Sequence, residues 1–121
     1  MSAIELKLSE LIKIRVSQIN DCVYCLKLHT AYARKLGETT QRLNCLSAWQ
    51  DCDFYTEAEK LALALAEHVT LTPTKRVSDA LYQRVLEHYD EKQYMELNLI
   101  IKQINRWNKI FISMRTIAIE S

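Results

Sequence analysis

The chain contains a single glycine and a single proline among its 121 residues. A β-sheet needs turn residues at each reversal of the chain, whereas helices can be joined by capped polar loops. This scarcity predicts an all-α fold, a compact single domain of six or seven helices over residues 1–121. The segment KIFISMRTIAI has strand propensity, but we assign it to a helix because no other segment offers a partner strand.

Capping residues and apolar periodicity place the predicted helix ends. Asn20 and Asp21 are expected to cap the second helix, and Gly37 to end it in the left-handed conformation. The letters TEAE at 56–59 form a capping box for the fourth helix, and Ser78 caps the fifth. The predicted helices span residues 4–18, 22–36, 40–50, 56–69, 78–88 and from 90 towards the end of the chain.

The last helix has more apolar residues than one core-facing stripe requires. That stripe consists of Leu97, Ile100, Ile101, Ile104, Trp107, Phe111, Met114 and Ala118. Further apolar residues lie off the stripe, at Leu99, Ile110, Ile112 and Ile117. Because burial by a second subunit would cover this other side, we expect a homo-oligomer.

The charges argue against several classes of partner. Sixteen basic and 15 acidic residues are scattered along the chain and give a net charge of +1, so no large field is available to hold nucleic acid or an anionic membrane. The amino terminus MSAIELKLSE has charges where a signal peptide needs an apolar core. We therefore expect a cytoplasmic protein, in which a close cysteine pair indicates redox chemistry or metal binding.

Two of the four cysteines and one of the three histidines fall within INDCVYCLKLHT, residues 19–30. On a helix, Cys22, Cys25 and His29 lie within about 60° of one another around the axis and share one face. Two thiols three residues apart can close a disulfide, and a thiol at a helix start ionises more readily. A histidine one turn further can accept or deliver the proton that sulfur chemistry requires.

Two other interpretations of this face stay open. Buried cysteines behave as small apolar residues, and His29 can be a core histidine with a satisfied ring. Cysteine and histidine are also preferred ligands of zinc, for which Cys52 could supply a fourth ligand. We favour the redox interpretation because the three residues share one face at the start of a helix.

An upstream carboxylate is a candidate partner for the histidine. Glu10 lies within an apolar row, with Leu6 and Ile14 one turn away on either side. If the first two helices fold back about Asn20, Glu10 faces His29; otherwise it is a solvated glutamate. A buried carboxylate beside an imidazole can take up or hand on a proton near neutral pH.

A glutamate followed by eleven residues and C-x-x-C-x-x-x-H resembles the pattern of the alkylhydroperoxidase-D-like proteins of the carboxymuconolactone decarboxylase superfamily. Here it is formed by Glu10, Cys22, Cys25 and His29. The segments RVSQINDCVYCLKLHTAYARKLGETTQRLNCLSAW, FYTEAEKLALALAE and INRWNKIF also resemble family segments in family order. The resemblance covers nearly the whole chain and implies an all-α fold that assembles as a trimer or hexamer.

The same resemblance implies a thiol-dependent peroxidase without a cofactor or metal. Cys25 would react with the hydroperoxide and become a sulfenic acid, and Cys22 would donate a proton and then resolve it to a disulfide. His29 and Glu10 would relay protons, and a dithiol or a protein reductant would restore the thiols. Helix-end electrostatics instead favour Cys22 as the more acidic thiol.

The chain departs from the family pattern in two respects. Tyr24 stands between the cysteines where the best-studied members carry another histidine, which weakens the expectation of an efficient peroxidase. The chain also begins shortly before the helix that carries Glu10, so we expect an oligomer contact to differ. The alternative function is a non-catalytic oligomeric module that senses redox state or binds structural zinc.

The remaining side chains of interest receive structural interpretations. Four aromatic residues are predicted to lie in the core or at a subunit interface, and one or two of them to wall a pocket at the thiols: Trp49, Phe54, Tyr55 and Trp107. Cys45 and Cys52 are predicted to be unpaired buried thiols, and His68 and His88 surface residues. Arg15 lies in the middle of an apolar face and therefore needs a carboxylate partner.

Overall fold

The computed structural model describes residues 3–117, and this part of the chain forms helices and no β-strand. The elements are α1 (Leu6–Ile19), α2 (Val23–Lys35), α3 (Thr40–Cys45), a 3₁₀ segment (Leu46–Asp51), α4 (Glu57–Leu71), α5 (Asp79–Leu86) and α6 (Glu91–Ser113). The all-α prediction is confirmed. No helix within the described range is long and apolar enough to cross a membrane.

Several predicted caps are confirmed. Thr56 and Glu59 form the capping box that opens α4, and the Ser78 side chain accepts a hydrogen bond from the Leu81 N–H at the start of α5. Gly37 has φ of 94° and follows Leu36, the C-cap of α2. Only glycine adopts this conformation without steric cost, so the position of the one glycine ends α2 where expected.

The segment predicted as one helix over 40–50 is interrupted. α3 ends at Cys45. Ala48, in the 3₁₀ segment that follows, has non-helical angles of φ −120° and ψ 33°. The kink turns Leu46 and Trp49 into the core, where the Trp49 indole N–H donates to Glu67 Oε2 over 2.8 Å. A buried indole with a satisfied N–H stabilises the kink over continued helix.

α6 ends earlier than its apolar stripe predicted. Met114 is the C-cap and is 73% exposed, so its assignment to the core stripe was wrong. Arg115 has φ of 55°, and the N–H groups of Arg115 and Thr116 turn back to carbonyl oxygens of the last helical turn. This is a Schellman motif, which stops the helix. The predicted stripe position Ala118 lies outside the described residues.

α1 lies at the centre of the fold and packs against α2, α4 and α6. One core cluster, which includes Ile12, Leu65 and Ile101, joins α1 to α4, α5 and α6. A second cluster, which includes Leu11 and Leu63, joins α1 to α2, α3 and α4. Full burial of each such side chain contributes about 1.5–3 kcal/mol, so α1 is a firm support for any group it carries.

Candidate active site

The turn between α1 and α2 determines where the first cysteine lies. Asn20 is the C-cap of α1, and Asp21 has φ of 57°. The Asp21 N–H donates to Gln18 O (3.3 Å) and the Cys22 N–H to Ser17 O (3.0 Å), the two bonds of a Schellman motif. Asn20 and Asp21 therefore end α1 and do not cap α2, as had been predicted. The N-cap of α2 is Cys22.

A buried polar network fixes this turn to α6. The Asn20 side-chain amide donates to Oδ1 of Asn105 over 2.9 Å and to Oδ1 of Asn108 over 3.0 Å. Asn108 is 0% exposed and donates in turn to Ser17 Oγ over 3.0 Å. Buried amides that are satisfied on both sides are costly to displace, so the backbone just before Cys22 is held in place.

Cys22 and Cys25 are joined by a disulfide, with their Cα atoms 5.3 Å apart. Cys25 lies in the first turn of α2, three residues after the N-cap Cys22. Each cysteine is 2% exposed. The sequence prediction that these two residues meet at the start of a helix agrees with the structure.

Glu10 and His29 meet across the α1–α2 hairpin, as the spacing predicted. His29 Nδ1 lies 3.2 Å from Glu10 Oε1, and Lys13 Nζ lies 3.4 Å from Glu10 Oε2. Burial raises the pKa of the Glu10 carboxyl, but its hydrogen bonds and charge interactions with His29 and Lys13 together lower it by more, so its pKa lies below the ordinary value. Glu10 is thus ionised at neutral pH although it is only 7% exposed.

The charge of Glu10 assigns the histidine tautomer. An ionised carboxylate can only accept a hydrogen bond, so His29 Nδ1 carries the hydrogen that it donates to Glu10. His29 Nε2 is then the ring nitrogen that can exchange a proton with another group.

Cys25 and His29 line a pocket of about 280 Å³. The rest of its lining comes from α1, α2 and α6, through Lys13, Leu28, Gln103, Ile104, Trp107 and Phe111. We call this the thiol pocket. Its walls are mostly apolar and include a few polar side chains, the arrangement typical of small-molecule sites.

Aromatic rings form one wall of the thiol pocket. Trp107 stacks on Phe111 with ring centroids 5.6 Å apart, and the Tyr24 ring lies 4.7 Å from Phe111 on centroids. The residue that departs from the family pattern, Tyr24, therefore supports this wall. The prediction that one or two aromatics wall the pocket is confirmed for Trp107, whereas Trp49 and Tyr55 are buried in the second core cluster.

Glu10 also borders a second opening, which we call the outer cleft. Its volume is about 350 Å³, and it is lined by Glu10 and Lys13 together with Leu6, Ser9, Tyr32, Lys35 and Leu36. Lys13 lines both the outer cleft and the thiol pocket. The Glu10–Lys13 ion pair thus lies between the two openings.

The other two cysteines lie apart from the thiol pocket. Cys45 and Cys52 are unpaired, as predicted, but half-buried and not fully buried. Burial and the neighbouring Cys45 raise the pKa of the Cys52 thiol, which keeps it protonated and poorly nucleophilic. Within residues 3–117, no group of three or more His, Cys, Asp or Glu side chains is placed to hold a metal ion. The zinc interpretation therefore finds no ligand set there.

Arg15 finds the carboxylate partner that its apolar surroundings require. Its Nε donates to Glu67 Oε2 over 2.8 Å, and Trp49 donates to the same oxygen. His88 is exposed, as predicted, whereas His68 is half-buried near the end of α4. None of these residues lines the thiol pocket.

Sequence reasoning missed Lys13 and most of the α6 wall. Lys13 follows Glu10 by three residues, a spacing typical of ion pairs on a helix, so its role could have been inferred. Gln103 and Phe111 carry no comparable signal, because their place in the thiol pocket depends on how α6 packs against the α1–α2 hairpin.

Comparisons with known proteins support the family and the fold. Residues 2–68 match the carboxymuconolactone decarboxylase family. The uncharacterised protein YdfG of Bacillus subtilis is 61% identical over 113 residues, covering 93% of this chain and 77% of YdfG. An Agrobacterium tumefaciens protein of unknown function, described as a candidate antioxidant defence protein AhpD, superposes with a TM-score of 0.93 at 28% identity, covering 98% of this chain and 82% of that one. An uncharacterised peroxidase-related protein from Silicibacter sp. TM1040 shares the fold, with a TM-score of 0.87 at 19% identity and coverage of 97% and 61%.

Proposed function

This chain belongs to the carboxymuconolactone decarboxylase family, and on that premise we propose that it reduces hydroperoxides with the thiols of Cys22 and Cys25. One observation carries the proposal. Cys25 and His29 line the same pocket, and the ionised Glu10 holds the far side of the imidazole. A nucleophile, a proton carrier and a group that orients the carrier are the parts that thiol catalysis needs.

The reaction begins from the reduced protein. The Cys25 thiolate attacks the outer oxygen of the hydroperoxide, so that an S–O bond forms and the O–O bond breaks. The alkoxide leaves as an alcohol after it takes a proton, and Cys25 becomes a sulfenic acid. The Cys22 thiolate then attacks the Cys25 sulfur, the disulfide closes, and the sulfenic oxygen leaves as water. A dithiol reductant supplies two electrons and two protons to restore both thiols.

His29 moves the protons in this scheme. Because Nδ1 donates to Glu10, Nε2 is free to take the proton of a thiol and return it to the leaving oxygen. Glu10 does not line the thiol pocket, so it is a positioning residue that acts through His29. The charge of Lys13 helps to lower the pKa of the Glu10 carboxyl, so Lys13 acts on the relay only through Glu10.

The lining of the thiol pocket favours Cys25 as the thiol that reacts first. Cys25 lines the pocket, whereas Cys22, the N-cap of α2, does not. The helix-end electrostatics that favour Cys22 act on both residues, since they are one turn apart. Access to the pocket then decides the order of attack.

The pocket walls favour an organic hydroperoxide over hydrogen peroxide. Leu28, Ile104, Trp107 and Phe111 offer apolar surface to an alkyl or aromatic group. Contact with that surface gives an organic substrate binding energy that hydrogen peroxide cannot obtain. The reductant reaches the same disulfide through the same pocket, and a small dithiol fits into that pocket.

A homo-oligomer is part of the proposal. Leu99, Ile110, Ile112 and Ile117 are all exposed, and Trp107 of the pocket wall is half exposed. A second subunit packed on the outer side of α6 would cover this apolar surface and shield the pocket wall from water.

The decisive experiment measures turnover. Reduced protein is mixed with tert-butyl hydroperoxide and excess dithiothreitol, and peroxide loss is followed. We expect many turnovers per subunit, a Cys22–Cys25 bridge in peptide maps of the oxidised protein, and loss of turnover in Cys22→Ser and Cys25→Ser. Cys52→Ser is the matched control and should keep full turnover, because its thiol lies outside the thiol pocket.

Trapping separates the roles of the two thiols. Cys22→Ser should leave a sulfenic acid on Cys25 that dimedone labels. A label found on Cys22 in the Cys25→Ser variant, and none on Cys25 in the converse variant, would reverse the assignment. A wild-type protein that oxidises once and never turns over with dithiols would be a redox sensor and not a peroxidase.

A further inference from the structure

A third opening lies on a different side of α6 from the thiol pocket and has a volume of about 500 Å³. It is bounded by the end of α1, the end of α4 and the middle of α6, and it shares no lining residue with the thiol pocket. Three of its lining residues are cations, Lys102, Arg106 and Lys109. We call it the basic cleft.

The positive charges of the basic cleft are not compensated within the described residues. No carboxylate lines it, and none of its three cations forms an ion pair within residues 3–117. Lys102 and Arg106 are four residues apart on the helix, and Arg106 and Lys109 three apart. Like charges at these spacings repel each other, so an anion bound between them would relieve the repulsion.

The floor of the basic cleft is ordered by hydrogen bonds. Asn105 accepts from Asn20 over 2.9 Å and donates to Thr70 Oγ1 over 3.0 Å and to Ile101 O over 2.9 Å. The Thr70 hydroxyl accepts this bond, and its own hydrogen is not donated to another described residue. Thr70 thus presents a donor in a cleft whose polar floor needs no rearrangement before a ligand binds.

The remaining walls are apolar. Val69 and Pro73 border the basic cleft from the end of α4 and the loop after it, and Ile110 borders it from α6. Apolar walls beside three cations suit an organic molecule with an anionic group better than a bare inorganic ion.

We propose that the basic cleft binds a phosphorylated organic molecule. A phosphate monoester carries a charge close to −2 at neutral pH and three acceptor oxygens, which matches three neighbouring cations better than a single carboxylate does. The planar guanidinium of Arg106 can hold two phosphate oxygens at once, and the flexible Lys102 and Lys109 can each reach another. The apolar walls then hold the organic part. This site is independent of the thiol chemistry.

The test uses the purified oxidised protein and a naphthyl phosphate as the probe. Isothermal titration calorimetry measures the dissociation constant, and amide chemical-shift changes locate the ligand. We expect saturable binding with shifts at Asn20, Thr70 and residues 102–110. Naphthol and inorganic phosphate, which each lack one half of the probe, should bind more weakly than the whole probe.

Matched variants connect the binding to the cations. Lys102→Gln and Arg106→Gln each remove one charge-assisted hydrogen bond, so each should raise the dissociation constant by about tenfold. Lys92→Gln removes an exposed cation from the first turn of the same helix, outside the basic cleft, and should leave the constant unchanged. Circular dichroism should show equal helicity in all three variants.

Several outcomes would overturn the proposal. One is the absence of saturable binding, and another is an equal loss of affinity in Lys92→Gln. Naphthol binding as tight as the phosphate would mean a merely apolar cleft, and equal binding of naphthoate would mean that the cations do not select a phosphate. An acidic peptide that binds where the naphthyl phosphate does not would assign the surface to a protein partner.

Discussion

Replacement of Glu10 by glutamine tests the proposed proton relay with a minimal change of shape. Glutamine retains the volume of the side chain and can still accept a hydrogen bond from His29 Nδ1, but it has no charge. The Cys22–Cys25 disulfide should still form, because attack and resolution need only the two sulfurs. The reaction with hydroperoxide near neutral pH should be slower, because the imidazole then carries its proton without a carboxylate beside it.

The expected loss follows from the local geometry. Opposite unit charges 4 Å apart interact by about 4 kcal/mol at an effective dielectric constant of 20, and the His29–Glu10 separation is 3.2 Å. The net effect is smaller, because Lys13 at 3.4 Å already offsets part of the carboxylate charge and glutamine keeps the hydrogen bond. A net loss of about 1.4–2.7 kcal/mol corresponds to a ten- to hundredfold lower rate.

Stopped-flow mixing of reduced protein with tert-butyl hydroperoxide measures this rate in a single turnover. Trp107 lines the thiol pocket, so its fluorescence reports on the site. The number of free thiols that remain after the reaction is quenched gives an independent measure. The Glu10→Gln rate should recover in part as the pH rises, because hydroxide then deprotonates the thiol directly. His29→Ala should cost about as much, and the double variant little more than either single one, as for members of one unit.

Glu38→Gln is the matched control for this prediction. Glu38 is also a buried carboxylate, but it pairs with Arg42 and does not line the thiol pocket. Its replacement should lower stability and leave the rate with peroxide unchanged. If Glu10→Gln instead keeps the wild-type rate and pH profile, the carboxylate plays no part in the chemistry and the relay is wrong.

Further predictions concern assembly and stability. Light scattering at micromolar concentration should give the mass of an oligomer, and a monomer mass would contradict the proposed interface on α6. Gly37→Ala should lower the free energy of unfolding in urea by about 1–2 kcal/mol, because alanine is strained at a φ of 94°. The added Cβ would meet only the Lys7 side chain, at 3.6 Å, so backbone strain is the expected cause, and an unchanged unfolding midpoint would refute this. Burial raises the pKa of the Glu59 carboxyl, but its interactions with Arg42 and Thr56 together lower the pKa by more. These interactions therefore contribute stability above the unfolded pKa of about 4.3, and this stability is lost as the pH falls through the lower folded pKa. In Glu59→Gln, the melting temperature should therefore fall less steeply as the pH is lowered below neutrality than it does in wild type. An equally steep fall would contradict this. Asn108→Ala leaves its buried partners unsatisfied and should lower the free energy of unfolding by about 2–3 kcal/mol in the same urea assay. A loss below about 1 kcal/mol would mean that the network around Asn20 contributes little to stability.

Local patterns in the sequence were sufficient to predict much of the fold. The Thr56 capping box and Gly37 depend on neighbours within a few residues, so they can be recognised without tertiary information. The meeting of Glu10 and His29 was predictable for a related reason. Two adjacent helices that fold back about a short turn bring together residues at equal distances from that turn.

The features that were not predicted depend on contacts between distant segments. Asp21 ends α1 in the conformation usually taken by glycine, beside an Asn20 side chain that bonds to α6. The kink at Ala48 accompanies the burial of Trp49 against Glu67, and Arg15 uses the same carboxylate from 52 residues away. No periodicity within one helix carries information about such partners.

If Glu10 orients His29 as proposed, the outer cleft gives access to this part of the proton relay, whereas the substrate enters by the thiol pocket. A molecule seated there would meet Glu10 and Lys13 without occupying the space in front of Cys25. Such a molecule would slow the thiol reaction at every peroxide concentration, as a noncompetitive inhibitor, whereas a molecule in the thiol pocket would compete with peroxide. Glu10, which lines the outer cleft, and Cys25, which lines the thiol pocket, would thus give this small fold two kinetically distinct points at which its chemistry can be inhibited.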